Sequence, residues 1–164
     1  MQAEAINQRL VKFIWAAAIY LAWTVIQGAI QGGVPGVNAI THSPVGGLLT
    51  SAHTHIGLMG WMTLALMAAI YYLVPIISGK PIVWPKLIEW IFWIFVVCGT
   101  VTTVLLIIGG SVAGNAFFAG VKGAELEATV MTYAMPAGIL CTITAIMCVL
   151  FVVQILVSLS RARS

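Results

Sequence analysis

The chain has 164 residues, of which 62% are hydrophobic and only 7% charged, with no aspartate and a formal charge of +3. So little polar surface excludes a soluble globule of this size and points to an all-α integral membrane protein, a single membrane domain over residues 1–164. The seven basic residues fall at segment ends, so they report membrane topology and exclude a nucleic-acid-binding surface.

In chain order, Gln2 to Gln8 is polar, Arg9 and Lys12 come next, and an apolar run begins that has no A-x-A-like cleavage site. It is too long for a signal-peptide core, so an uncleaved first span is expected. Four segments are long enough to cross a hydrocarbon layer of about 30 Å, at about residues 10–31, 48–77, 86–110 and 128–158. The second and fourth exceed the minimum and should tilt or protrude. Arg9, Lys12, Lys80, Lys86, Arg161 and Arg163 all fall on one side of this map. The expectation is therefore a four-helix bundle in a cell membrane with both termini cytoplasmic.

The connections differ in character. Ser78-Gly79-Lys80-Pro81 is a tight inner turn, and Pro85 sits just before the third span, where a missing N–H costs nothing. The outer stretch from Gly32 to Gly47 is apolar and glycine-rich, unlike a solvated linker, and should lie on the bundle or the lipid interface. Trp84, Trp90, Trp93, Tyr71 and Tyr72 gather towards the inner interface as an aromatic belt. Cys98, Cys141 and Cys148 lie in apolar runs without a C-x-x-C pair and read as small core residues.

Chemistry concentrates in Ser51-Ala52-His53-Thr54-His55-Ile56-Gly57, which holds two of the three histidines and opens the second span. An ionisable side chain inside a membrane is costly unless partnered, so it marks a site. At 100° per residue, His53 shares a face with Gly57, Gly60, Leu64, Met67 and Tyr71, while His55 is rotated to the other side. Gly57, one turn below His53, leaves clearance for a flat macrocycle, or serves only as a small residue for close helix packing. His55 with Met59 and Met62 forms a soft nitrogen–sulphur stripe that could hold Cu(I) or simply pack in the core.

The segment Thr50 to His55, succeeded after a helix by Tyr71-Tyr72-Leu73-Val74-Pro75, resembles the second transmembrane helix of haem-copper oxidase catalytic subunits, above all the nitric oxide reductase and C-family oxidase branches. Asn7-Gln8-Arg9-Leu10 and Trp23 to Ile30, including Gln27, are similar to that family's first helix. The resemblance implies that His53 is an axial ligand of a low-spin haem b near the outer face. It leaves the family's other metal ligands without counterparts, because there is no histidine after His55. A complete oxidase or reductase is therefore not expected from this chain alone.

The second axial ligand would come from His42, from Met131 and Met135 at the head of span four, or from a partner chain, with His55 a weaker candidate ligand. The resulting expectation is a haem b electron-transfer protein of the respiratory type. It would work as a homo-oligomer or as a subunit of a larger membrane complex, exchanging electrons with a redox protein or a quinol. Two other readings stand beside it: a cofactor-free or copper-handling structural subunit, and a five-coordinate haem that binds gas.

Overall fold

The computed structural model describes residues 2–160, so Arg161 and Arg163 of the charge pattern lie outside the described residues. The elements are α1 (Gln2–Gly33), α2 (Pro35–Thr41), α3 (Gly47–Thr54), a π-helical segment (His55–Thr63), α4 (Leu64–Ser78), α5 (Pro85–Phe118) and α6 (Gly123–Ser160), with no strand among the described residues. Among the described residues, four helices are long and apolar enough to cross a membrane, and α3, the π-segment and α4 form one of them. The protein is thus all-helical and of the multi-pass membrane type. Large apolar side chains such as Ile19, Leu66, Ile139 and Leu156 are accordingly exposed along the outside of the helices, where lipid is their natural neighbour.

The helices run further than the hydropathy pattern predicts. α5 continues past Gly110 to Phe118, and α6 begins at Gly123, so most of the stretch expected as an outer loop is helix. The cause is packing: Ala113 is fully buried, and Gly114 lies so close to Ile40 that an added Cβ would stand 2.5 Å from its side chain. At 34 and 38 residues these two helices measure about 51 and about 57 Å, so both protrude from or tilt across a layer of about 30 Å. The apolar outer stretch contains α2, whose Ile40 supplies that contact and holds the segment against the bundle.

Glycines set the helix spacing. Cβ atoms added at Gly60, Gly109 and Gly110 would come within 2.7, 2.5 and 2.7 Å of Tyr20, Tyr133 and Leu49, so each of these seams closes only because the position has no side chain. Phe13, Tyr71, Phe92, Phe95 and Phe151 fill the core towards one end of the bundle. A smaller cluster of Val45, Leu48, Ala52, Leu106, Ala113 and Ala137 fills the other.

Polar side chains fasten the end that holds the short 79–84 connection. α4 stops at Gly79, whose φ of 66° suits a residue without a Cβ. The fully buried Tyr71 hydroxyl donates to Gln154 Oε1 at 2.7 Å, and Gln154 Nε2 donates to the carbonyls of Val83 (2.6 Å) and Trp84 (3.1 Å). Val83 N–H in turn donates to Ser158 Oγ at 3.0 Å. Glu89 pairs with Lys12 and lies 3.8 Å from Arg9, and the Lys12 ammonium stands 4.6 Å from the centre of the Phe92 ring. This answers the cost of a carboxylate near an apolar core.

Replacing Gln154 with Leu leaves the Tyr71 hydroxyl and the Val83 carbonyl buried without partners. The expected cost is about 1–3 kcal/mol, read as a lower thermal midpoint in detergent, with Tyr71→Phe costing less. Gly60→Val should open the seam with Tyr20 at about 1–3 kcal/mol. Gly32→Val, with nothing within 4 Å of the added carbon, should leave the midpoint within about 0.5 kcal/mol of the parent.

Candidate functional site

The second span changes its backbone pattern at the histidines. Regular α-helix ends at Thr54, and residues His55–Thr63 take i→i+5 hydrogen bonding before α-helix resumes at Leu64. Thr63 Oγ1 also donates to the carbonyl of Leu58 at 2.8 Å. Such wide turns occur mostly as short insertions at functional sites, and each one shifts the angular phase of the helix beyond it. Gly60, Leu64, Met67 and Tyr71 nevertheless all come out buried.

The two neighbouring imidazoles meet different partners. His53 lies against the first span: a Cβ at Gly28 would stand 3.0 Å from its Cε1. Its Nδ1 is buried and has no hydrogen-bond partner among the described residues. Gln27 is also buried, at 7% exposure, and both of its amide atoms lack partners. Gln31, on the same face of α1 one turn away, donates to the carbonyl of Leu49, one turn before His53. Gln27 therefore stands at about the level of His53, and the two orphaned polar groups lie in the same turn of the bundle.

His55 turns to the fourth span. Its Nδ1 is 2.7 Å from the carbonyl of Ser51 and its Nε2 is 3.3 Å from Cys141 Sγ. Beside this pair lies a small, partly open cavity of about 10 Å³, room for about one water or ion, bordered also by Met59, Tyr20, Thr102 and Thr144. The Tyr20 hydroxyl is held by the Val96 carbonyl (3.1 Å) and Thr100 Oγ1 (2.6 Å).

The remaining expected site residues are spread out. His42 is exposed at the end of α2, its Nδ1 2.9 Å from the Asn38 carbonyl. Met131 and Met135 sit on the outward face of α6, at 44% and 59% exposure. Gly57 faces Thr24, whose methyl would lie 3.5 Å from an added Cβ, so the space beneath His53 is taken up by the first span. Of the soft stripe expected beside His55, Met59 lines the cavity, whereas Met62 is exposed.

Sequence reasoning passes over Cys141 as a core residue. The available signal is the cluster Cys141-Thr142-Ile143-Thr144, in which Cys141 and Thr144 fall at helical spacing on one face. Among the described residues, no three His, Cys, Asp or Glu side chains converge. Compared with known proteins, the chain matches no family model, no curated protein and no solved structure.

Proposed function

We propose that this chain is a haem b-binding membrane protein of electron transfer, distantly related to the catalytic subunits of haem-copper oxidases, with His53 as an axial ligand. The observation that carries the reading is the pair of orphaned buried groups at His53 and Gln27. A buried imidazole nitrogen without a partner is rare and calls for an explanation, all the more so in a membrane helix.

The two groups are complementary. Gln27 offers a carbonyl oxygen and His53 a ring N–H, an acceptor and a donor of matching kind. A hydrogen bond of this kind on Nδ1 fixes the tautomer and leaves the Nε2 lone pair for a metal. Gly28 supports the arrangement by letting the imidazole lie close to the first span.

The residues fit an axial ligand but not an enclosed pocket: Thr24 occupies the notch at Gly57, and the interior cavity belongs to His55. Haem held by His53 would have to lie at the margin of the bundle. His42, Met131 or Met135, or a second chain would supply the further ligand. When bound, haem supplies one-electron chemistry whose potential depends on that second ligand. The basic residues favour a topology with both termini on the cytoplasmic side and His53 towards the outer face.

Visible spectra of the detergent-purified protein, oxidised and reduced, with a pyridine haemochrome assay, test the reading. A sharp reduced α-band with haem b at one per chain or one per two chains is the expected result, and no haem after expression with haem supplied would overturn it. His53→Ala should abolish the band while His55→Ala leaves it nearly unchanged. Gln27→Leu should weaken haem retention by about 10–100-fold without unfolding the protein.

A further inference from the structure

We propose a second site in this molecule: a buried centre for one Cu(I) ion, bound by His55 Nε2, the Cys141 thiolate and the Met59 thioether across spans two and four. It is independent of haem at His53, because it uses other residues on another face of the helix.

The histidine is prepared for a metal. A backbone carbonyl only accepts, so the 2.7 Å contact with Ser51 fixes the proton on Nδ1 and leaves the lone pair on Nε2. Ring N–H donation to a backbone carbonyl is the usual outer-shell support of a metal-bound imidazole. Nε2 and Cys141 Sγ are 3.3 Å apart. With metal–nitrogen and metal–sulphur bonds of about 2.0 and about 2.3 Å, that separation closes an angle of about 100° at an ion lying between them, within the range of low-coordinate sites.

The surroundings select the metal. The cavity is about 10 Å³, which suits an ion and not a small organic molecule. Its hydroxyls, those of Tyr20, Thr102, Thr103 and Thr144, are neutral hard oxygens and weak ligands for a soft ion. The strong donors at the cavity are one imidazole nitrogen and two sulphurs, a soft set that favours Cu(I).

Charge points the same way. Cu(I) with one thiolate, a neutral imidazole and a thioether has no net charge, whereas a divalent ion would leave an uncompensated charge in an apolar interior. Binding replaces the thiol proton: the Cys141 S–H bond breaks, an S–Cu bond forms, and the proton leaves to bulk solvent with no change in oxidation state.

The full chain in detergent is titrated anaerobically with Cu(I) in competition with a chromogenic chelator, and the loaded protein is examined by X-ray absorption. One Cu(I) per chain, with one nitrogen and two sulphur scatterers, is expected. One proton should be released to solvent for each Cu(I) bound. Cys141→Ser and His55→Ala should each lower affinity by more than about 100-fold and Met59→Leu by about 10-fold. Cys148→Ser and His53→Ala should leave it unchanged. Sulphur-only coordination in the parent protein, or full binding by Cys141→Ser, would overturn the assignment. The absorption spectrum of the parent protein decides the matter even where a variant fails to fold.

Discussion

The close approach of the first two spans is the constraint on which both candidate sites depend. In a bilayer, lipid tails are as apolar as leucine, so helices gain little from hiding hydrophobic surface against each other and associate through close packing and polar contacts. Along this seam the large and small partners alternate. Gly60 on the second span receives Tyr20, Gly57 receives Thr24, and further along Gly28 of the first span receives His53. The interlock fixes the rotation of the second span, and with it the directions in which His53 and His55 leave the helix. A change of two residues in the register of this seam would bring His55 to the place that His53 holds.

Buried polar groups divide into those that hold the fold and those that remain unexplained by it. Gln154 is fully buried, yet it joins Tyr71, Val83 and Trp84, and Ser158 completes the set. The half-exposed Glu89 is likewise met by Lys12 and Arg9. Such groups offset their own desolvation and specify where the connection between spans two and three must lie. Gln27 and His53 are different, because neither burial nor packing supplies them with partners. A fold that satisfies Gln154 so fully makes the pair at Gln27 and His53 stand out as a place arranged for something else.

Much of the architecture is legible in the sequence because hydropathy and length are local properties. Four apolar runs give four helices, and Gly79 with Pro81 marks the turn between the second and third. The true ends are not legible in that way. Ser111–Phe118 becomes helix because Ala113 and Gly114 are covered by neighbours distant in the chain. At the site, the helical period separates His53 from His55, since residues two apart on a helix face different ways. The π-segment has no sequence signature of this kind, and the meeting of His55 with Cys141 joins residues whose separation along the chain no periodicity can bridge.

The π-segment brings the two sites together. It begins at His55, one of the two candidate site residues, and ends at Thr63, before the regular helix that leads to Tyr71. Wider turns place fewer backbone hydrogen bonds in register and change the phase between the two ends of a helix. The upper end here must aim His53 at the first span and His55 at the fourth, while the lower end must bury Leu64, Met67 and Tyr71 in the aromatic core. An uninterrupted α-helix fixes both ends by one rotation. Local widening uncouples them, so the histidines are set by their neighbours at one end while the core is set by packing at the other.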